Sequence, residues 1–330
     1  MKERQGVLQP PESAEDLLKT APGLQDMVDL EFVSLLNKDS TDMNPDDWIS
    51  MANAVNERRF NGYDGFVIAH GTDTMHFSAT AVAFAFGKNL SFPIVFTGAQ
   101  TSSNVQLGDA KANLVRACKV ASEDLAEVVV CFDQYIFRGC RCQKKEDQRF
   151  DAFESPGFGP IGYIDASIEI TPHAKRRDPN LGIIDYQPFF ERGILLVNMI
   201  PGLEPNLIDS IVEQEKCKGL ILQSFGAGNV PKWKEFSFVP LIKRATEMGK
   251  PVVIASQFPR RSAEGTRFLS GLDTCRAGAI LAGNMTSAAA VVKFRWALAQ
   301  VAKLGLDPSR RVQEFGAIMQ RPYVGEMDWC

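Results

Sequence analysis

Hydroxyl and carboxylate side chains follow a short apolar run in the first quarter of the chain, in a pattern that could support acyl or proton transfer. The run is residues 66–69, and the segment His70-Gly71-Thr72-Asp73-Thr74 follows it. A threonine hydroxyl is a weak nucleophile at neutral pH and needs a neighbouring base. A carboxylate beside it can pair with such a base or with the ammonium of a substrate. Two hydroxyls that flank a carboxylate therefore mark a candidate site.

A buried parallel strand and a helix must position these side chains. The run 66–69 is typical of such a strand, and ligands bind outside the carboxyl ends of parallel strands. A helix that begins near Thr74 would add unpaired N–H groups and a partial positive charge, which suit an oxyanion or a carboxylate. The segment Thr97-Gly98-Ala99-Gln100 ends the next predicted strand, so both ends would meet in one pocket. Because Thr and Asp are common N-caps, a simple helix cap is an open alternative.

Strand and helix signals alternate along the chain, which indicates sheets built from βαβ units. Ser13 predicts one helix start, and Asn44-Pro45 predicts a stronger one. The remaining predicted strands are 93–97, 127–132, 193–199, 219–223 and 251–256, and the predicted helices are 75–86, 109–122, 204–216, 239–248 and 287–301.

The domain organisation follows from this alternation and from a change in composition. The fold class we predict is α/β, with a larger N-terminal, doubly wound, mainly parallel sheet domain and a smaller C-terminal α/β domain. The stretch from Thr171 to Glu191 is rich in proline and charge, as connections between domains often are. We therefore expect a catalytic domain over residues 1–170, a linker over 171–192 and a second domain over 193–330.

Composition places the chain in the ordinary soluble class. The formal net charge of -4 over 330 residues gives no basic surface for a nucleic acid, and no run reaches the roughly 18 apolar residues that span a bilayer. The seven cysteines are odd in number and scattered, which favours free thiols in the cytoplasm. Cys140 and Cys142 form a C-x-C pair without a second pair, so a structural zinc site is disfavoured.

A glycine-rich segment offers a nucleotide-binding alternative. Residues 157–162 fit the G-x-G-x-x-G fingerprint by letters. Pro160 removes an N–H that a phosphate cradle needs, and residues 163–168 continue as an alternating strand rather than a helix. This context argues against a dinucleotide site.

The motif His70-Gly71-Thr72-Asp73-Thr74-Met75, followed by Thr97-Gly98-Ala99-Gln100, resembles the bacterial-type L-asparaginase family. Further segments resemble the family in the same order. They are Asp39-Ser40-Thr41-Asp42-Met43, Phe137-Arg138-Gly139-Cys140-Arg141-Cys142-Gln143-Lys144, Phe225-Gly226-Ala227-Gly228-Asn229 and Ala282-Gly283-Asn284-Met285-Thr286-Ser287. The Arg-Gly-x-Arg form before Lys144 is closer to the cytoplasmic type I branch than to the secreted type II branch.

The resemblance implies an L-asparagine amidohydrolase that works through a threonine-based acyl-enzyme, with no metal or organic cofactor, as a homodimer or homotetramer. It implies catalytic roles for Thr72, Asp73 and Lys144. It implies substrate contacts for Ser40, Thr41, Gly71, Thr72, Asp73 and Ala99. From the residues alone Lys144 has an alternative, a solvated lysine in a charged loop, because Lys145, Glu146 and Asp147 follow it.

One family motif has no counterpart in the sequence. Members begin with a strand that ends in Gly-Gly-Thr-Ile, whose threonine is the other catalytic hydroxyl, and no Gly-Gly-Thr occurs here. Either Met1 is an internal methionine and the strand lies upstream, or the first strand is lost and activity is impaired. The second case would give an amino-acid sensor or an interaction subunit. The resemblance also extends to an ammonia-releasing amidotransferase subunit, which carries an extra N-terminal domain for which we expect no room here.

Overall fold

The computed structural model describes residues 2–4, 7–9, 21, 23–101, 107–258 and 269–328. Contacts divide the chain into two units, Met1–Pro188 and Phe189–Cys330. The α/β class, with a larger N-terminal sheet domain and a smaller C-terminal one, is confirmed. The helix predicted after Ser13 lies outside the described residues.

The described part of the first unit contains a six-stranded sheet with the order β10-β9-β6-β5-β4-β3. Its strands are β3 (Phe66–Ala69), β4 (Ile94–Thr97), β5 (Val128–Phe132), β6 (Tyr135–Arg138), β9 (Gly162–Ile164) and β10 (Ile168–Ile170). Its helices are α1 (Pro45–Arg58), α2 (Met75–Phe86) and α3 (Ala110–Val120). The predicted strand and helix that flank Thr72 agree with β3 and α2.

The N-terminal sheet is mixed, whereas the sequence predicted a mainly parallel one. Strands β3, β4 and β5 pair in parallel, whereas β5–β6, β6–β9 and β9–β10 are antiparallel. Only Asp133 and Gln134 separate β5 from β6, and Asp133 has a φ of 51°. A two-residue connection closes a hairpin, whereas a parallel pair needs a crossover of a dozen or more residues. The strand at residues 162–164 follows the glycine-rich segment directly, so no helix is present to receive a phosphate.

Two small ladders lie outside this sheet. Strands β1 (Lys2–Arg4) and β2 (Val7–Gln9) pair with each other in antiparallel. Strands β7 (Gln143–Lys144) and β8 (Phe153–Glu154) form a second antiparallel pair, in which Lys144 faces Phe153. The backbone N–H of Lys145 donates to the carbonyl of Ala152, which extends this hairpin by one bond.

Local sequence explains where the first helices begin. Asn44 caps α1, and the capping box is complete because the Asp47 side chain accepts from the Asn44 N–H at 2.8 Å. Helix α2 is apolar on nearly every side, and ten of its twelve residues are buried. Such a helix is held by the core on all faces, so the residues that enter it are placed rigidly.

The stretch that we predicted as a linker packs on the first unit over most of its length. Arg138 donates to the carbonyl of His173 at 2.8 Å, and the Arg177 N–H donates to Asp124 at 2.9 Å. The N–H of Gln187 donates to the carbonyl of Ala85 in α2. The proline and charged residues of this stretch therefore belong to a segment that is bonded to the surface of the first unit.

The second unit contains a four-stranded parallel sheet among its described residues, in the order β11-β12-β13-β14. The strands are β11 (Ile194–Asn198), β12 (Gly219–Ser224), β13 (Val252–Ser256) and β14 (Ile280–Leu281). The helices are α4 (Asn206–Glu213), α5 (Val239–Glu247), α6 (Leu269–Arg276), α7 (Ser287–Ala302) and α8 (Pro308–Met319). The sequence patterns did not predict β14, α6 or α8.

A fully buried ion pair lies in the second unit. The Lys293 ammonium on α7 is 2.6 Å from Glu326, and neither side chain is exposed to solvent. Lys293 also donates to the carbonyls of Met319 and Arg321, and Glu326 accepts from the N–H groups of Tyr323 and Val324. The chain that follows α8 is thereby fixed to α7.

Candidate active site

The structure brings together the three residues that the resemblance assigns to catalysis. The Lys144 ammonium donates to the Thr72 hydroxyl at 2.9 Å and to the Asp73 carboxylate at 2.6 Å. Lys144 is more than 70 positions from both Thr72 and Asp73 in the sequence. A hydroxyl in contact with a lysine nitrogen that is itself paired with a carboxylate is an arrangement that can move a proton to or from a threonine oxygen.

The capping interpretation of Thr72 and Asp73 is wrong. Helix α2 begins at Met75, its N-cap is Thr74, and no side chain makes a capping hydrogen bond. The Thr74 hydroxyl instead donates to the carbonyl of Ser40 at 2.6 Å. Thr72 and Asp73 hold Lys144, so their side chains are directed into the site rather than toward the helix N–H groups.

The alternative of a solvated Lys144 is also wrong. Its side chain is only 15% exposed, whereas that of Asp73 is 55% exposed. The β7–β8 ladder turns Lys144 toward the end of β3, while the next residue, Lys145, points outward and pairs with Asp151 at 3.0 Å. Alternation of side chains along a strand accounts for the different surroundings of the two lysines.

The loop that carries Ser40 lies against the same strand end. A Cβ on Gly71 would fall 2.6 Å from the Ser40 hydroxyl, so only glycine permits this approach. Ser40 is buried, whereas Thr41 is exposed. The Thr41 N–H and hydroxyl both donate to the Asp39 carboxylate at 2.8 Å, and these bonds lower the pKa of Asp39. Ser40 is thus the side chain of this loop that is closest to Gly71.

The end of β4 forms the neighbouring wall. A Cβ on Gly98 would lie 2.3 Å from the carbonyl oxygen of His70 and 3.6 Å from the Thr72 methyl group. Ala99 is half-buried beside it. Gln100 accepts from the Thr72 hydroxyl at 3.0 Å. The predicted convergence of the two strand ends is therefore present in the geometry.

Sequence reasoning missed the residues that hold this wall. The buried Asp109 accepts from the N–H of Gln100 at 2.9 Å and from that of Thr101 at 3.1 Å. Asn113 donates to Asp109 at 3.1 Å and to the carbonyl of Gly98 at 3.0 Å. Asp109 is the first residue of the predicted helix 109–122, which gave its side chain no role outside that helix. No pattern in the sequence indicated that it binds the preceding loop.

Two buried imidazoles lie beside the reactive groups. Burial lowers the pKa of His70, although its hydrogen bond to the Gly71 carbonyl opposes this effect. Burial, together with the nearby positive charge of Lys144 and with His70, lowers the pKa of His76 to about 4. Both rings are therefore neutral near pH 7, and they add no positive charge beside Lys144.

Comparison with known proteins is consistent with this geometry. The profile of the family described as "Asparaginase, N-terminal" matches residues 1–176, and that of the "Glutaminase/Asparaginase C-terminal domain" matches residues 194–306. The chain belongs to the asparaginase family. The solved structure of the thermostable L-asparaginase from Thermococcus kodakarensis superimposes with a TM-score of 0.84 at 28% identity, covering 100% of this chain and 96% of that one.

Other members of the asparaginase family are similarly related to this chain. The L-asparaginase I structure from Vibrio cholerae is 32% identical, with a TM-score of 0.77 and coverage of 88% and 84%. A glutamyl-tRNA(Gln) amidotransferase subunit of Aeropyrum pernix is 34% identical over 98% of this chain and 75% of its own length. The family thus includes relatives described as asparaginases and as amidotransferase subunits.

The described residues contain neither a cluster of metal-ligating side chains nor a membrane-spanning helix. Within those residues, no group of three or more His, Cys, Asp or Glu side chains could hold a metal ion. No helix of the described part is long and apolar enough to cross a membrane. Cys118, Cys131, Cys142 and Cys217 are buried there without a disulfide.

Proposed function

We propose that this protein hydrolyses L-asparagine to L-aspartate and ammonia. The observation that carries the proposal is the contact of Lys144 with both the Thr72 hydroxyl and the Asp73 carboxylate, at 2.9 and 2.6 Å. Family membership supports the amidohydrolase class, and similarity to the L-asparaginase from Thermococcus kodakarensis supports this substrate.

The reaction requires a carbon–oxygen bond to form and a carbon–nitrogen bond to break. A threonine oxygen attacks the side-chain amide carbon, ammonia leaves with a proton, and water then cleaves the resulting ester to release aspartate. In this proposal the attacking hydroxyl passes its proton to the Thr72 oxygen as the Thr72 proton passes to Lys144, Lys144 then returns a proton toward the leaving nitrogen, and Asp73 orients Lys144. Asp73 is half-exposed, so it can also receive the α-ammonium of the substrate.

The substrate contacts are part of the same proposal. Ser40 would bind the α-carboxylate from its position above Gly71, together with the backbone at Thr41. Backbone N–H groups near Thr72 and Ala99 would stabilise the oxyanion of the tetrahedral intermediate. The family's Gly-Gly-Thr-Ile threonine would supply the attacking oxygen, and Thr72 would then serve as the second hydroxyl.

Ammonia release from L-asparagine by the complete gene product tests the proposal. We expect Lys144→Met to lower kcat by about 10²–10⁴-fold, the usual contribution of a positioned acid or base. Lys145→Met is the matched control, because it makes the same change on the same hairpin at a side chain that faces Asp151. Full activity of Lys144→Met, or an equal loss in Lys145→Met, would contradict the assignment.

A second candidate function is that of an ammonia-supplying subunit of a larger enzyme, or of an impaired member that only binds an amino acid. Similarity to glutamyl-tRNA(Gln) amidotransferase subunits favours it, and the one from Methanobrevibacter smithii is 31% identical over 98% of the chain. Calorimetry with aspartate beside the ammonia assay separates these cases. Binding without turnover would favour a sensor. Turnover only in a complex with a second polypeptide, isolated from the native source, would favour a subunit.

The assembly and the location belong to the proposal as well. The resemblance implies a homodimer or homotetramer in the cytoplasm. Light scattering on the purified complete gene product tests the assembly: a monomer at micromolar concentration would contradict it.

A further inference from the structure

The side chain of Gln100 connects two parts of the candidate site that come from distant segments. Its amide oxygen accepts from the Thr72 hydroxyl at 3.0 Å. Its amide nitrogen donates to the carbonyl of Glu146 at 3.1 Å and to that of Arg149 at 3.4 Å. Both carbonyls belong to the loop between β7 and β8, so one amide touches the reactive hydroxyl and the hairpin that carries Lys144.

The orientation of this amide follows from its partners. Backbone carbonyls only accept, so the nitrogen of the amide must face Glu146 and Arg149, and the oxygen must face Thr72. A threonine hydroxyl has a single proton. In the resting structure that proton is directed to Gln100 and the lone pairs of Thr72 face Lys144, so the hydroxyl proton must turn toward Lys144 for the transfer while Gln100 fixes the position of the Thr72 oxygen beforehand.

The backbone of Gln100 is held in place by hydrogen bonds. Its N–H is held by the buried Asp109, and Asn113 holds both Asp109 and the carbonyl of Gly98. Because its backbone is rigid, the side-chain amide of Gln100 can fix the positions of the groups that it binds.

We propose that Gln100 is a positioning residue, which holds the Thr72 hydroxyl and the Lys144 hairpin in one reactive arrangement. This role rests on the proposed amidohydrolase function for its kinetic consequences, whereas the mechanical connection to the hairpin is independent of any activity.

Two measurements on Gln100→Met test the two consequences separately. We expect kcat for ammonia release to fall about 10–100-fold, as small misplacements of reactive groups do, while KM stays within about threefold because the Ser40 loop is untouched. We also expect trypsin to cleave after Lys145 and Arg149 about 2–10-fold faster in the native protein, since the hairpin loses its hydrogen bonds to Gln100. Gln148→Met is the matched control, because Gln148 is exposed on the same hairpin and should change neither value.

A second variant separates the two ends of the amide. Gln100→Glu keeps an acceptor for Thr72 but loses the donor for the carbonyls, so we expect it to retain more kcat than Gln100→Met while its hairpin is cleaved as fast. This variant also serves if Gln100→Met does not fold.

The kinetic and proteolysis measurements have separate outcomes. An unchanged kcat in Gln100→Met, a rise in KM alone, or a Gln100→Glu enzyme as slow as Gln100→Met would overturn the role at Thr72. If the unmodified gene product releases no ammonia, the proposed function fails. The trypsin measurement alone then tests the connection between Gln100 and the hairpin. Faster cleavage in Gln100→Met but not in Gln148→Met supports the connection, and equal rates overturn it.

Discussion

Removal of the Lys293 ammonium should destabilise the second unit far more than removal of an exposed lysine. The pair with Glu326 has a separation of 2.6 Å and no solvent exposure on either side. In Lys293→Met the Glu326 carboxylate keeps its backbone N–H donors but loses its cation, while the carbonyls of Met319 and Arg321 lose their donor. Breaking a buried pair in this way costs about 3–5 kcal/mol. That is a large part of the roughly 5–15 kcal/mol that stabilises a typical domain.

Urea unfolding followed by tryptophan fluorescence measures this loss. Trp296 lies one turn after Lys293 on α7, and its ring is 4.9 Å from that of Tyr323, so it reports on this region. The matched control is Lys243→Met on α5, whose pair with Glu247 is exposed and should contribute no more than about 0.5 kcal/mol.

The double variant Lys293→Met/Glu326→Gln decides between a buried pair and two independent contacts. Without either charge there is no uncompensated ion, so we expect the double variant to lose less stability than the sum of the single variants, with a coupling energy above about 1 kcal/mol. A cost below about 1 kcal/mol for Lys293→Met, or strict additivity, would refute the reasoning.

Three further predictions concern the first unit. Gly98→Ala would place a methyl group 2.3 Å from the His70 carbonyl, so we expect a loss of about 1–3 kcal/mol in urea unfolding together with reduced ammonia release; full activity would contradict this close approach. The pKa of His76 is about 4 in the folded state but has its ordinary value of 6.5 in the unfolded chain. As the pH falls below 6.5, the unfolded state therefore binds the proton before the folded state does. Stability should therefore fall by about 2 kcal/mol between pH 7 and 5, and His76→Gln should show a smaller fall in the same titration. Asn44→Ala should cost about 1 kcal/mol of unfolding free energy by removing the cap of α1, and an effect below experimental error would show that the cap is dispensable.

The parts of the fold that sequence predicted best are those with strong local signals. The strand before Thr72 and the helix after it were bounded correctly, because an apolar run, a glycine and a helical pattern follow one another without interruption. The β6 strand was missed, since its residues continue from β5 after only a two-residue turn, and an apolar run alone does not reveal a reversal of direction.

The site was predictable in its members but not in its contacts. Family resemblance named Lys144, yet composition alone favoured a solvated lysine, because its neighbours are charged. Its burial depends on the pairing of two short strands, which no local pattern specifies. The side-chain bonds of Gln100 likewise join distant segments, and those of Asp109 bind the loop that precedes α3, so both became visible only with the chain folded.

The threonine side and the lysine side of the site are held by elements of very different stability. Thr72 and Asp73 lie between β3 and the start of a helix that is buried on nearly all sides, whereas Lys144 lies on a ladder of two residues per strand. Elements with few buried contacts open at a small fraction of the global unfolding free energy. On the way to denaturation, the lysine side of the site should therefore separate from the threonine side while the sheet is still intact. Catalytic competence would then disappear at a lower urea concentration than the folded core.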